Sequence, residues 1–288
     1  MCILVNENTR IIVQGITGSV GSNQTKLMLE YGSRIVAGVT PGKGGMTVHG
    51  VPVYDTVKEA VVEHPAEASI LFVPARSTKE ATIEVVDSDI KLIVAITEHV
   101  PVHDVMRARE YCQEANATMI GPTTPGIISP GKTKIGIMPA SLFVRGEVGI
   151  VSRSGTLLYE VAGNLSLGGI GQSSCLGIGA DLVVGTGMRD ILKLFEADEH
   201  TSLVTIVGEI GGTQEEDAAA YIETEMKKPV IAYVAGRTAP EGERMGHAGA
   251  IVLGERSTAA AKIDVLRNAG VAIASKPSDV LEIAKTYL

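Results

Sequence analysis

The stretch Arg10-Ile-Ile-Val-Gln14 runs directly into Gly15-Ile-Thr-Gly18-Ser-Val-Gly21, and the residues beyond it read as a helix. A β-branched strand, a glycine turn and a helix N-terminus in that order present backbone N–H groups and a helix dipole to a pyrophosphate. The spacing G-x-x-G-x-x-G is a looser form of the dinucleotide fingerprint. The same pattern also serves a tight βα turn that binds nothing. The end of the next strand tests for NAD, because an acidic residue is due there to bond a ribose 2′-hydroxyl. The chain has Val39-Thr40-Pro41-Gly42-Lys43-Gly44-Gly45 instead. A lysine in a glycine-rich bend suits a nucleotide with an additional ribose phosphate, meaning NADP or coenzyme A. Nor is Gly38–Lys43 a Walker A loop. It is one residue short between its glycines, and Gly44 stands where Ser or Thr would hold magnesium.

Outward from this unit the same alternation continues to the end of the chain. Strands are predicted at 10–14, 34–39, 69–73, 92–96, 118–120, 148–152, 174–178, 203–207, 230–234 and 271–274. Helices are predicted at 21–31, 56–63, 78–88, 102–114, 156–167, 189–197, 214–225 and 257–268. Most of the strands are nearly continuous in Val, Ile and Leu, as strands covered on both faces should be. The fold class is therefore α/β, with parallel sheets between layers of helices. Gly121-Pro-Thr-Thr-Pro-Gly-Ile-Ile-Ser-Pro-Gly131 reads as irregular, and a βα pattern restarts beyond it. Two domains follow, 1–121 and 122–288.

Composition narrows the function classes. Among 288 residues, 45% are hydrophobic, enough for two cores. A net charge of −8 argues against a general nucleic-acid surface. Apolar runs such as 90–97 are far too short to span a membrane. The opening Met1-Cys2-Ile3-Leu4-Val5-Asn6-Glu7 has no basic segment before a long apolar one, so no secretion signal is expected. The three cysteines, Cys2, Cys112 and Cys175, have neither metal-type spacing nor a disulfide framework, which points to a reducing cytoplasm. No metal site is predicted. The 33 glycines gather in loops after strands, where they let backbone N–H groups approach anions.

A second constellation lies downstream. Three predicted strands lead into Arg153-Ser154-Gly155-Thr156, Gly208-Glu209-Ile210-Gly211-Gly212 and a long polar loop ending Gly246-His247-Ala248-Gly249-Ala250. If the strands are parallel, all three loops emerge on one edge, bringing His247, Glu209 and the helix start at Ser154 and Gly155 together. A neutral imidazole is a competent nucleophile toward phosphorus. A carboxylate on its other ring nitrogen would fix the tautomer and offset the developing positive charge. The bland readings are a solvated loop histidine and a surface acid. His49, His64, His99, His103 and His200 are read that way. Ser154 lacks the G-x-S-x-G elbow of a serine nucleophile. The residues Ala95-Ile96-Thr97-Glu98 belong on the same sheet rim as the glycine loop, and Glu98 could equally be an exposed acid or a capping partner.

Seven stretches in order carry a family resemblance. They are Gly15–Gly21, Gly38–Gly45, Ala95–Glu98, Ile135-Gly-Ile-Met-Pro139, Gly149-Ile-Val-Ser-Arg-Ser-Gly-Thr156, Gly208–Gly212 and Gly246–Ala250. With them the chain resembles the α subunits of the succinyl-CoA synthetases over its whole length. The resemblance implies a Rossmann-like CoA-binding domain followed by a flavodoxin-like ligase domain with a doubly wound parallel sheet. It implies CoA contacts from Thr17, Gly18, Ser19, Val20, Lys43, Ile96, Thr97 and Glu98. It also implies that His247 is phosphorylated beside Glu209, that Ser154 and Gly155 open a phosphate-cradling helix, and that Tyr159 contributes to the organic-acid site. ATP or GTP and Mg would be held by a larger β subunit, in an αβ or α2β2 assembly. The expected contact is an apolar patch around Tyr159 and the 180–188 loop, with Leu182, Val183, Val184 and Met188 exposed.

Two loops depart from the family pattern. Thr123-Thr124 stands where the family usually has Asn-Cys. Gly179-Ala-Asp-Leu-Val-Val-Gly-Thr186 replaces a Gly-Gly-Asp-Pro segment followed by a bulky residue and Asn-Gly-Thr. The default acid is succinate, with malate or another dicarboxylate as an alternative. Two further readings compete: an NADP-dependent oxidoreductase, which gives His247 no role, and a non-catalytic CoA sensor.

Overall fold

The computed structural model describes residues 3–288; Met1 and Cys2, the latter one of the three cysteines, lie outside them. The first half forms a seven-stranded sheet from β1 (Arg10–Gln14), β2 (Arg34–Val39), β3 (Thr47–Val48), β4 (Val51–Tyr54), β5 (Ala68–Leu71), β6 (Leu92–Ala95) and β7 (Thr118–Ile120). Its order is β3-β4-β2-β1-β5-β6-β7, parallel except for the β3–β4 hairpin. Strand order reverses at β1, so a crevice opens between the loops that leave β1 and β5. Helices α1 (Ser19–Glu30), α2 (Val57–Glu63), α3 (Thr78–Asp87) and α4 (Val102–Glu114) supply the crossovers.

The second sheet contains β8 (Gly126–Ser129), β9 (Thr133–Gly136), β10 (Arg145–Ser152), β11 (Gln172–Gly177), β12 (Leu203–Glu209), β13 (Val230–Ala235) and β14 (Ala272–Ala274). The order β14-β13-β12-β10-β11 is parallel, with one doubly wound switch at β10, as in flavodoxin-like sheets. An antiparallel β8–β9 hairpin extends the β11 edge. Helices α5 (Gly155–Leu167), α6 (Met188–Ala197), α7 (Gln214–Glu225), α8 (Ala259–Asn268) and α9 (Asp279–Ala284) cover the faces. Side chains in β10 (from Val148 on), β11 and β12 are buried, which is why these strands lack a polar alternation.

Three local expectations need correction. The 121–131 segment is not irregular throughout, because Gly126–Ser129 is the fully buried strand β8. Its prolines flank the strand rather than interrupt it. Gly126 has φ +98°, and a Cβ there would sit 2.1 Å from the Ile135 oxygen, so only glycine lets the hairpin backbones approach. The 182–188 stretch is not an exposed apolar loop. Leu182 is 55% exposed, but Val184 is buried and Met188 begins α6 with its side chain in the core. Strands β3, β4 and β9 and helix α9 were not expected.

The halves are joined through side chains as well as through the chain. Ser33 Oγ donates to the Lys134 oxygen at 2.7 Å and accepts from the Lys134 N–H at 3.0 Å. The Gly131 N–H donates to the Tyr31 hydroxyl at 2.9 Å.

Candidate functional site

At the β1 switch point the first glycine loop borders a cavity of about 710 Å³. Gly15 turns the chain at φ +76°, and a Cβ there would meet the Phe72 oxygen at 2.4 Å. Backbone crowding therefore dictates this glycine whether or not anything binds. Thr17 and Gly18 line the cavity with Thr40, Pro41, Phe72 and Pro74. Thr17 Oγ1 bonds Thr40 Oγ1 at 3.2 Å, tying the glycine loop to the turn after β2. Ser19 and Val20 begin α1 as exposed residues on the rim. Lys43 is exposed too, in a turn held by Asp55, whose Oδ1 accepts the N–H groups of Lys43 and Gly44 at 2.9 Å each. Lys43 itself is not among the residues that line the cavity.

Ile96, Thr97 and Glu98 divide between two places. Thr97 Oγ1 donates to the Val73 oxygen at 2.8 Å, fastening the loop after β6 to the first cavity's wall. Ile96 and Glu98 instead line a second cavity of about 300 Å³. This one lies where the carboxyl ends of the two sheets face each other. Glu98 and His99 come from the first half; Thr123, Arg153, Gly155, Tyr159, Asp181 and His247 come from beyond it. His99, read from sequence as a bystander, is on this wall with its side chain 92% exposed.

The predicted trio is brought together here. Glu209 ends β12 almost fully buried, and its Oε2 lies 2.8 Å from His247 Nδ1. A carboxylate can only accept, so Nδ1 carries the proton, and in the neutral ring Nε2 keeps its lone pair. The hydrogen bond with Glu209 raises the His247 pKa from its ordinary value. Burial and the Arg153 charge work against that rise, and the Glu209 and Asp181 charges add to it. The loop carrying His247 is pinned by the Gly249 N–H, which donates to the Ala180 oxygen at 2.9 Å.

Ser154 caps α5, its Oγ accepting from the Leu157 N–H at 3.4 Å. Such a cap contributes about 1 kcal/mol. Gly155 and Thr156, at the start of that helix, line the cavity, so unpaired N–H groups and the positive end of the helix dipole face it. Tyr159 stands one turn further on. Burial pushes its phenol up to about 12, so it stays a neutral hydroxyl able to donate.

Several residues here were missed by sequence reading. Arg153, 3% exposed, donates from Nη1 to the Glu209 oxygen at 2.9 Å, the Gly211 oxygen at 2.7 Å and Glu215 Oε1 at 3.2 Å. Its Nη2 lies 3.5 Å from Glu209 Oε1. Glu215, fully buried, accepts the Glu209 N–H at 3.0 Å and Lys262 Nζ at 2.6 Å. Burial would raise the Glu215 pKa, but Arg153 and Lys262 outweigh it and hold the group below the usual carboxylate range. Removing one member of such a buried cluster costs about 3–5 kcal/mol. Asp181 was also missed. Thr123 Oγ1 donates to its Oδ2 at 2.8 Å, so the two loops that depart from the family pattern touch each other. Burial raises the Asp181 carboxyl, with Thr123 opposing.

Among the described residues there is no cluster of three or more His, Cys, Asp or Glu suited to a metal. None of their helices is long and apolar enough to cross a membrane.

Residues 6–99 match the CoA binding domain family and residues 151–272 the CoA-ligase family. A succinate–CoA ligase [ADP-forming] subunit alpha 2 from Archaeoglobus fulgidus is 55% identical over 100% of both chains. A succinate–CoA ligase [ADP-forming] subunit alpha from Aquifex aeolicus is 52% identical over 100% of this chain and 95% of its own. Among solved structures, ATP citrate lyase from Methanothrix soehngenii in complex with citrate and coenzyme A superposes with a TM-score of 0.90 at 26% identity. That match covers 99% of this chain, which spans about half the length of the lyase chain (51%).

Proposed function

Because the chain belongs to the succinate–CoA ligase α-subunit family, with CoA-binding and CoA-ligase domains in succession, we propose that His247 is its phosphate carrier. The reaction is the reversible, ADP-forming joining of succinate to coenzyme A, run together with a β subunit. His247 Nε2 bonds the γ-phosphorus as the bond to the ADP oxygen breaks. Glu209 holds the Nδ1 proton and offsets the positive charge on the ring. The N–H groups at Gly155 and Thr156 cradle the phosphoryl oxygens. A succinate carboxylate oxygen, positioned with help from Tyr159, then takes the phosphoryl group and frees Nε2. The CoA sulfur attacks the acyl carbon, and inorganic phosphate leaves as the thiol proton is lost. Dividing one condensation into transfers lowers each barrier.

Coenzyme A is read into the larger cavity through Thr17, Gly18, Ser19, Val20 and Lys43. Ile96, Thr97 and Glu98 border its path to His247. Nucleotide and magnesium belong to the β subunit, in an αβ or α2β2 assembly. The domain division is taken at 121–122. Two buried free thiols, Cys112 and Cys175, suit a reducing cytoplasm. An NADP-dependent oxidoreductase or a CoA sensor leaves the His247–Glu209 pair without work.

The observation that carries this reading is the 2.8 Å contact of His247 Nδ1 with Glu209 on a cavity that also receives the start of α5. With the β subunit present, γ-labelled triphosphate should leave an acid-labile, base-stable phosphate on this chain, absent from His247→Ala. Undiminished labelling of His247→Ala removes the proposal.

A further inference from the structure

The Glu209 carboxylate faces His247 with one oxygen and a guanidinium with the other. Its Oε2 is 2.8 Å from Nδ1, while its Oε1, buried and without a hydrogen bond, lies 3.5 Å from Arg153 Nη2. Nη1 of the same guanidinium reaches the backbone oxygens of Glu209 and Gly211. Glu215 completes the frame, accepting from Arg153 and from the Glu209 N–H. Behind it, Lys262 Nζ bonds Glu215, Glu216 and the Gly212 oxygen at 2.6, 2.8 and 2.9 Å. A charged cluster this deep is costly to bury and is weak evidence for stability by itself, but it pairs the backbone groups of the 209–212 loop and so fixes that loop's geometry.

We propose that Arg153, anchored by Glu215 and Lys262, is the positioning residue of the phosphate-carrying site: it fixes the loop at 209–211 and holds the Glu209 carboxylate with Oε2 turned to His247 Nδ1. This deepens the phosphohistidine reading and rests on it for its catalytic meaning. Arg153 has no hydrogen bond to His247 and acts on it through Glu209. A guanidinium suits the task because its planar fork meets three carbonyls and two carboxylates at once, which an ammonium cannot. Its charge also opposes protonation of His247, leaving more of the nucleophile neutral.

The other charged groups around His247 are Glu209 on β12, Asp181 after β11, and Glu98 and His99 after β6. Glu215 and Glu216 on α7 and Lys262 on α8 surround Arg153 from behind. Removal of Arg153 should therefore do two separable things. Labelling of His247 with the β subunit should slow about 10–100-fold, as for other groups that orient a reactive ligand. The pH midpoint of labelling should also move downward in Arg153→Gln, toward that of Glu209→Gln, because the Glu209 hydrogen bond that raises it is loosened. Arg153→Lys, which keeps the charge but not the fork, should leave both the midpoint and the rate lowered. A slow Arg153→Gln enzyme with an unmoved midpoint would reduce Arg153 to a structural residue and overturn the proposal.

Should Arg153→Gln fail to fold, the unaltered chain still decides the matter. In its 15N spectrum, without nucleotide or partner, the Arg153 Nη signals should shift with the His247 titration, and neutral His247 should carry its proton on Nδ1. Arg153 signals that ignore that titration overturn the proposal. Coupled signals in a chain that never becomes phosphorylated would sink the phosphohistidine reading and leave the Arg153–Glu209–His247 relay standing.

Discussion

Glu209 and His247 set stability and reactivity against each other along the pH axis. The folded His247 pKa lies above its ordinary value, chiefly through the Glu209 hydrogen bond. The pair's contribution to stability is then fully present below the unfolded histidine pKa and is lost as pH rises through the folded value. Nucleophilic attack needs the neutral ring, so labelling should rise over the same window in which that stabilisation disappears. Glu209→Gln removes the largest cause of the shift while Arg153 and burial still pull downward. Its labelling midpoint should fall below that of the unaltered chain, and its rate should drop because the tautomer is no longer fixed. Single-turnover labelling across pH 5–9 with the β subunit checks both. A midpoint that stays in place would mean that Glu209 is not the group tuning His247.

At the scale of elements, the start of α5 makes a test in which sterics and chemistry separate. A Cβ added at Gly155 would meet only the Pro125 ring, at 3.5 Å, which is ordinary contact. Gly155→Ala should thus melt within a few degrees of the unaltered chain. The same methyl would stand beside N–H groups assigned to phosphate, so labelling of His247 should fall about tenfold or more. Normal labelling with normal melting would take the helix start out of the site. The β1–α1 unit was legible in sequence because strand, turn and helix are contiguous and each residue type has a local reason. The α6 start was legible to within a residue, 189 against Met188, but its anchor was not: Gln214 Oε1 accepts the Met188 N–H at 2.8 Å from a distant element. The β8–β9 hairpin was hidden among prolines and glycines for the same reason, its glycines being chosen by contact with the opposite strand. His247 and Glu209 stood out by the small residues around them. Arg153 did not, because its partners lie 56–62 positions away and only the β10–β12 pairing brings them together.

For the whole molecule, two sheets and one short connection put the two cavities on a common rim, with Ser33 and Lys134 fastening the halves behind it. The larger cavity is built from 14–84 alone, so coenzyme A should bind to the isolated chain, saturably, in a calorimeter. Turnover is a different matter. Phosphoryl transfer depends on metal neutralisation and in-line positioning of the triphosphate, and the sequence holds no P-loop to provide them. The chain around His247 instead carries exposed Met245 and Leu253, and exposed Leu182 lines a neighbouring cavity with Asp181 and Ala248. Apolar groups exposed around the proposed phosphate carrier suit a surface that another subunit covers. They replace Val184 and Met188, which are buried, as the expected contact. Thioester should therefore form from succinate, coenzyme A, magnesium and triphosphate only when the β subunit is added, and Met245→Asp should weaken that subunit's binding without affecting coenzyme A. Full turnover by this chain alone would mean that it contains a nucleotide site of its own, and the division of labour argued here would be wrong.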